Sequence, residues 1–191
     1  MRLTRYVVGF LLSLIFLAIM LMTADLRIDA IELMLFDLGG VIIELDFARM
    51  YRELARYSPL SAEDIARRFQ FDDMYNRHER GEIEDSEYFE HLQQVLTLSS
   101  GSDADIAAAW NVLLAGTIVE TVSLLDFLEP SIRLCALTNS NRVHERYWRR
   151  AFSKVLEPFE QIFVSSSIGH RKPEPQSFEY VSEATGVPTE A

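Results

Sequence analysis

The stretch that most constrains the fold of this chain is residues 33–46, LMLFDLGGVIIELD, in which an acidic residue directly follows a short apolar run. Four apolar residues precede Asp37, and Gly39 and Gly40 come soon after it. This pattern predicts a short strand, buried on both faces, that leads into a tight turn. Ligands of α/β proteins bind where such strands end, but a turn aspartate also serves simply to accept hydrogen bonds from turn amides. The stretch alone leaves both roles open for Asp37.

The alternation of strands and helices returns in the last third of the chain. Apolar runs at 132–137 and 162–164 predict two further buried strands, and residues at helical spacing separate them. This order predicts a parallel sheet with right-handed crossovers. The predicted fold class is therefore α/β, with a three-stranded Rossmann-like core built from residues 31–46 and 117–191.

The intervening residues 47–116 have their apolar side chains at helical spacing. Phe47, Met50 and Leu54 fall on one such stripe, and Ser61, with Asp64 three residues later, is typical of a helix start. We therefore expect an inserted helical block at 47–116, between the first and second core strands.

The first thirty residues differ from the rest. Arg2 and Arg5 precede an apolar run at 6–22, whose seventeen residues sit at the short limit for a membrane-spanning helix and are long for the core of a secretory signal. Since no convincing cleavage site follows, we favour an uncleaved single-pass membrane anchor with its amino terminus in the cytoplasm. A signal peptide, or translation that starts at Met34 and gives a cytoplasmic protein, are the alternatives.

The net charge argues against one class of partner, and the cysteine content excludes an internal disulfide. The formal net charge of −11 argues against a nucleic-acid partner, because phosphate-binding surfaces need clustered lysine and arginine. Cys135 is the only cysteine, so the chain forms no internal disulfide, and its apolar surroundings predict a small buried hydrophobe.

The three predicted core strands each lead to polar or reactive residues. Asp37 follows the first, Thr138 and Asn139 follow the second, and Lys172 lies in the loop after the third. This order resembles the haloacid dehalogenase-like (HAD) hydrolase superfamily over about residues 33–186. The branch represented by alpha-D-glucose-1-phosphate phosphatase looks most similar, through the blocks FDLGGVI (36–42), HERGEI (78–83), TNSNR (138–142) and RKPE (171–174).

The resemblance implies a phosphatase of small phosphorylated metabolites, such as sugar phosphates. Asp37 would attack the phosphorus and form an aspartyl-phosphate, Thr138 would hydrogen-bond the phosphoryl oxygens and Lys172 would neutralise them. Taken singly, Thr138 is better explained as a helix cap and Lys172 as a solvated loop lysine, and it is their joint appearance after successive strands that favours the catalytic roles. The resemblance also implies Mg²⁺ as cofactor, held by the Asp37 carboxylate and the backbone carbonyl of Gly39.

The helical block then takes the position of the family's cap domain, which selects the substrate. The resemblance implies that His78 and Arg80 reach the substrate from this cap and that Asn139 binds it from the core. For His78 to Gly81, an ordinary helix end with a glycine stop is the alternative.

Two departures from the family pattern qualify these expectations. Gly39 stands where most HAD phosphatases carry a second aspartate, which leaves the general acid unidentified. The chain also ends at Ala191 before the family's next strand and its acidic motif, so we expect weak magnesium binding, impaired catalysis and an open apolar edge on the first strand. A non-catalytic, membrane-tethered interaction protein and a gene fragment are the alternatives.

Overall fold

The computed structural model describes residues 31–128 and 130–188. The predicted hydrophobic segment at 1–30 lies outside the described residues. Within the described ranges, no helix combines the length and the apolar character needed to cross a bilayer. The compact unit that begins at Leu33 contains all the elements discussed below.

The described residues contain five strands, which form one parallel sheet and one antiparallel pair. In chain order they are β1 (Leu33–Phe36), β2 (Ile43–Leu45), β3 (Leu114–Thr117), β4 (Arg133–Thr138) and β5 (Gln161–Val164). The parallel sheet has the order β1-β4-β5, which confirms the predicted three-stranded α/β core.

Strand β1 is not buried on both faces as its apolar run predicts, but it has the open apolar edge that we also expected for it. Within the described residues it pairs with β4 only, and Leu35, which is opposite Cys135 in the register, is 36% exposed. Leu33 and Leu35 border an apolar groove of about 260 Å³ beside this edge. The exposure follows from position, because an edge strand is covered less completely than a central one.

The helices lie in the inserted block and between the core strands. The inserted block contains α1 (Phe47–Leu54), a 3₁₀ turn (Ala55–Tyr57), α2 (Ala62–Arg68), α3 (Asp73–Glu79), α4 (Asp85–Val95) and α5 (Asp103–Asn111). The core contains α6 (Val119–Leu125), α7 (Arg142–Ala151), α8 (Ser153–Leu156), α9 (Ser165–Ile168) and α10 (Pro175–Thr185). The predicted helix start at Ser61 is confirmed, since its side chain accepts the amide of Asp64 at 3.1 Å. Ser102 forms a capping box with Asp105 at the start of α5.

The prediction that 47–116 is helical throughout is wrong at its end. Strand β3 pairs antiparallel with β2, with Ile43 opposite Thr117, and joins the two chain segments that lead into and out of the helical block. Each strand is only three or four residues long, and a run that short carries no reliable strand signal until its distant partner is known.

The helical block has one hydrophobic cluster, and two others pack against the parallel sheet. Trp110, 1% exposed, lies in a cluster built mainly from helices α1 to α5. Trp148, 2% exposed, lies in a cluster between the sheet and its helices, while Cys135 and Leu137 belong to a third cluster with Val181 of α10. The predicted burial of Cys135 is therefore confirmed, and both tryptophans also lie in the core.

Candidate active site

Asp37 lies directly after β1 with both carboxylate oxygens engaged. Its Oδ1 accepts the amide of Leu38 at 2.7 Å, and its Oδ2 is 2.8 Å from Lys172 Nζ. The turn itself is closed by other bonds, because the amides of Val41, Ile42 and Ile43 donate to the Leu38 carbonyl at 3.3, 2.8 and 2.8 Å. The Asp37 side chain remains 39% exposed. The carboxylate is therefore not what closes the turn, and it faces a cation in a position that solutes can reach.

Thr138 and Asn139 come at the end of β4, next to β1 in the sheet. Thr138 is 4% exposed, and the following helix α7 is capped by Asn141, whose Oδ1 accepts the His144 amide at 2.9 Å. Thr138 is therefore not the helix cap. The Asn139 side chain holds the backbone of Lys172 with two bonds, donating to its carbonyl at 2.9 Å and accepting its amide at 2.7 Å. The loop after β5 is thereby tied to the end of β4.

The same loop is tied to the helical block by two ion pairs. Arg171 donates from Nε to Glu79 at 2.9 Å, and Nη2 is equally close. Glu174 accepts from Arg80 Nε at 2.8 Å and from the Arg171 amide at 3.0 Å. Glu79 and Arg80 lie at the end of α3. The ammonium group of Lys172 is thus positioned by contacts from β4 on one side and α3 on the other.

The electrostatics of the site centre on two acids and two bases. Burial raises the pKa of Glu79, Arg171 acts in the opposite direction, and the nearby Asp37 charge adds to the rise. Burial also raises the pKa of Tyr75, which hydrogen-bonds Glu79. Lys172 and Arg171 therefore each offset one carboxylate, and Arg171 stabilises the buried Glu79 in its charged form.

The structure brings together Asp37, Thr138, Asn139 and Lys172, but not His78. The His78 side chain is buried, with Nε2 2.9 Å from Asp85 and its ring stacked on Tyr88 at a centroid distance of 4.5 Å. It therefore packs among aromatic rings inside the helical block and does not face Asp37. Arg80 does lie beside the Lys172 loop, but its guanidinium is engaged by Glu174.

Two charged residues at the site, Glu79 and Arg171, were missed by sequence reasoning. Both lie inside the blocks HERGEI and RKPE, where opposite charges next to the predicted site residues were the available signal. The helix end with a glycine stop, given above as the alternative for His78 to Gly81, is what the structure shows, since α3 ends at Glu79. Gly81 has a φ of +71°, and a Cβ on it would lie 2.2 Å from the Ser166 carbonyl oxygen. The helical block therefore approaches α9 so closely that only glycine fits at this position.

Two oxygen donors suited to a hard cation lie here, the Asp37 carboxylate and the Gly39 carbonyl. The turn amides described above donate to Leu38, and the Gly40 amide to Ile43 at 2.8 Å, so the Gly39 carbonyl takes no part in those bonds. In residues 31–128 and 130–188, no three His, Cys, Asp or Glu side chains are grouped so as to hold a metal ion. The described donors match magnesium in kind and supply part of a ligand set.

Comparison with known proteins places this geometry in a family. A HAD family enzyme from Bacteroides thetaiotaomicron, in complex with magnesium and inorganic phosphate, is 28% identical and superimposes with a TM-score of 0.69 over 83% of this chain and 80% of that chain. A HAD-like family hydrolase from Porphyromonas gingivalis is 22% identical, with a TM-score of 0.69 over 84% and 78% of the two chains. L-2-haloacid dehalogenase from Xanthobacter autotrophicus shares the fold at 21% identity, with a TM-score of 0.59 over 83% and 66%.

The family model of haloacid dehalogenase-like hydrolases matches residues 31–191, which include every element of the described core and helical block. The chain belongs to the haloacid dehalogenase-like hydrolase family.

Proposed function

We propose that this protein is a phosphatase that acts on small phosphorylated metabolites, including sugar phosphates as in the glucose-1-phosphate phosphatase branch that its motifs resemble. The observation that carries the proposal is the pairing of Asp37 Oδ2 with Lys172 Nζ at 2.8 Å, beside Thr138 at the end of the neighbouring strand. A nucleophilic carboxylate next to a fixed cation and a hydroxyl donor is what phosphoryl transfer requires.

In the proposed reaction, an Asp37 oxygen attacks the phosphorus of a phosphate monoester, and the bond from phosphorus to the alcohol oxygen breaks. Water then attacks the aspartyl-phosphate, releasing inorganic phosphate and restoring the carboxylate. Thr138 donates to a phosphoryl oxygen, and Lys172 offsets the negative charge that both steps concentrate there. Because Gly39 has no side chain to protonate the departing oxygen, esters with good leaving groups should react faster than simple alkyl esters.

Magnesium enters this proposal through the Bacteroides thetaiotaomicron relative, whose structure contains magnesium and inorganic phosphate. The Asp37 carboxylate and the Gly39 carbonyl would hold the ion, which when bound neutralises charge on the phosphoryl group. We also propose that the 191-residue chain binds magnesium weakly and turns over slowly, since Asp37 is the one carboxylate assigned to the ion among the described residues.

The test measures phosphate release from p-nitrophenyl phosphate and glucose 1-phosphate, with and without magnesium. We expect a slow magnesium-dependent rate, below about 1 s⁻¹ and so under the usual range for enzymes. It should disappear in Asp37→Asn and persist in the control Asp46→Asn, because Asp46 only caps α1 through the Arg49 amide at 2.8 Å. Equal rates in Asp37→Asn and wild type would refute the nucleophile. No hydrolysis and no phosphate binding would favour the non-catalytic alternative.

A further inference from the structure

A partly enclosed cavity of about 70 Å³ adjoins the candidate site, between the parallel sheet and the helical block. Gly39, Thr138 and Asn139 border it from the core, Tyr75 and Glu79 border it from α3, and His144 borders it from α7. An engineered cavity of about 150 Å³ takes up benzene, which has six non-hydrogen atoms, so by proportion this one admits roughly three. That is the size of a short carbon fragment.

His144 presents an unpaired acceptor next to this cavity. The residue is 6% exposed, and its Nδ1 lies 2.8 Å from Asn111 Oδ1. Its Nε2 has no hydrogen-bond partner among the described residues. Since Asn111 Oδ1 can only accept, Nδ1 carries the proton of the neutral ring and Nε2 keeps its lone pair. Burial lowers the pKa of His144 to about 3, so the ring is neutral at physiological pH.

The other groups around the cavity restrict what can use that acceptor. Glu79 is the one carboxylate among the bordering residues, and it is already paired with Arg171. Lysine and arginine are absent from the cavity border in the described structure, and most of the border is leucine, isoleucine or aromatic. An anionic group would be left without a counterion there, whereas a carbon chain with a neutral hydroxyl satisfies both the apolar walls and the Nε2 lone pair.

We propose that this cavity holds the alcohol part of the substrate and that His144 Nε2 accepts a hydrogen bond from its hydroxyl group. The substrate is then a phosphate monoester with a free hydroxyl within two or three carbons of the ester oxygen, and His144 determines specificity. The inference rests on the proposed phosphatase function, because it takes the phosphate to lie against Asp37, Thr138 and Lys172.

The test compares two esters of similar size, 2-hydroxyethyl phosphate and propyl phosphate, with inorganic phosphate as the reference. Dissociation constants are measured by calorimetry with magnesium present, in the full chain carrying Asp37→Asn to prevent turnover. We expect the hydroxyl ester to bind about tenfold more tightly than propyl phosphate, as one buried hydrogen bond would give. In the added variant His144→Phe the preference should vanish, while the affinity for inorganic phosphate stays within about twofold of its previous value.

His78→Phe is the matched control, because His78 is also buried and also has an unpaired ring nitrogen, yet it does not border the cavity. The hydroxyl preference should survive in that variant. Equal binding of the two esters, or equal loss of preference in both histidine variants, would overturn the inference.

Two further outcomes are distinguishable from these. If no form of the chain binds inorganic phosphate, the proposed function fails and the inference fails with it. If His144→Phe does not fold, two measurements on the chain with His144 intact still test the inference. The chain must bind 2-hydroxyethyl phosphate more tightly than propyl phosphate. The ¹⁵N chemical shift of His144 Nε2 must change when 2-hydroxyethyl phosphate binds and stay unchanged when propyl phosphate binds.

Discussion

Gly81 illustrates how a single position can seat the helical block on the core. Its φ of +71° lies in the left-handed region, and the carbonyl oxygen of Ser166 in α9 occupies the space that a Cβ would need. Gly169, at the end of α9, has a similar φ of +78° but no atom within 4 Å of its Cβ position. The two glycines therefore share a backbone conformation and differ in the close approach.

This difference gives a matched prediction. Gly169→Ala should lower the free energy of unfolding by about 1 kcal/mol, the cost of a left-handed conformation for alanine. Gly81→Ala should lower it by about 3 kcal/mol or more, because the backbone at Ser166 must also move. Urea unfolding of both variants measures the difference. Equal losses of the free energy of unfolding would show that the Ser166 carbonyl leaves room for a Cβ at position 81.

His144 predicts a pH dependence of stability whose sign follows from its burial. Its folded pKa of about 3 lies below the unfolded value of about 6.5, so below pH 6.5 the unfolded chain binds a proton that the folded chain does not. Stability that is present above pH 6.5 should therefore be lost on acidification, by about 1.4 kcal/mol per pH unit from this group. At pH 5 the loss should reach about 2 kcal/mol.

The comparison with His144→Gln isolates this contribution from that of other groups. Burial also lowers the pKa of His78, but His78 is present in both proteins, so its effect cancels. The variant should be less stable than wild type at pH 7.5, and the difference should shrink by about 2 kcal/mol at pH 5. If the difference in the free energy of unfolding between wild type and variant stays constant from pH 7.5 to pH 5, burial does not lower the pKa of His144 in the folded protein.

At the level of elements, the end of α3 and the loop after β5 act as one unit. Glu79 and Arg80 bind Arg171 and Glu174, on either side of the lysine that faces Asp37. The side chains of Glu79 and Arg171 are 5% and 22% exposed, whereas Glu53 and Arg56 on α1 form a comparable pair at 36% and 69%. A contact of the helical block thus also helps to position the loop whose lysine faces Asp37.

Double-mutant cycles on these two pairs should give different coupling energies. For Glu79→Gln with Arg171→Met we expect about 2 kcal/mol, less than a fully buried pair because Arg171 retains some solvent contact. For Glu53→Gln with Arg56→Met we expect at most about 0.5 kcal/mol, as is usual for exposed pairs on a helix. Both are obtained from urea unfolding of the single and double variants. A coupling energy below 0.5 kcal/mol for Glu79 and Arg171 would show that this pair does not hold the loop after β5 in place.

How much of this arrangement was predictable depended on whether the signal was local. Buried parallel strands are marked by apolar runs, and the residues after them lie at one sheet edge by topology, so the sequence predicted that Asp37, Thr138 and Lys172 lie at the same edge. Strand β3 and the pairing of Glu79 with Arg171 depend on partners about seventy and ninety residues away, which no local pattern specifies. His78 was assigned to the substrate only through the family resemblance, and a sequence block does not specify whether its histidine packs on aromatic rings or faces a ligand.

At the scale of the whole molecule, four ion pairs among the described residues connect the helical block to the core. They join Glu79 to Arg171, Arg80 to Glu174, Glu84 to Arg142 and Asp85 to Arg146. Two basic residues of α7, Arg142 and Arg146, are thus used within the fold.

The last prediction concerns residues 6–22, which we propose to be a single-pass membrane anchor. The run contains no charged residue, and Arg2 and Arg5 precede it, an order that keeps the amino terminus in the cytoplasm. Carboxyl-terminally tagged protein should sediment with membranes and resist alkaline extraction. Leu14→Arg, at the centre of the run, should release much of it, since an arginine there costs about 3 kcal/mol of insertion free energy.

Leu124→Arg is the control, because this leucine is 62% exposed on α6 and its replacement should leave the protein in the membrane fraction. A wild-type product found entirely in the soluble fraction would contradict the anchor. Mass spectrometry of its amino terminus would then distinguish a signal peptide from a later translation start. Cleavage of a signal peptide leaves an amino terminus shortly after residue 22, whereas translation from Met34 leaves one within β1. A start within β1 would also remove Leu33, which borders the apolar groove at the sheet edge, so such a product should be less stable than the full chain.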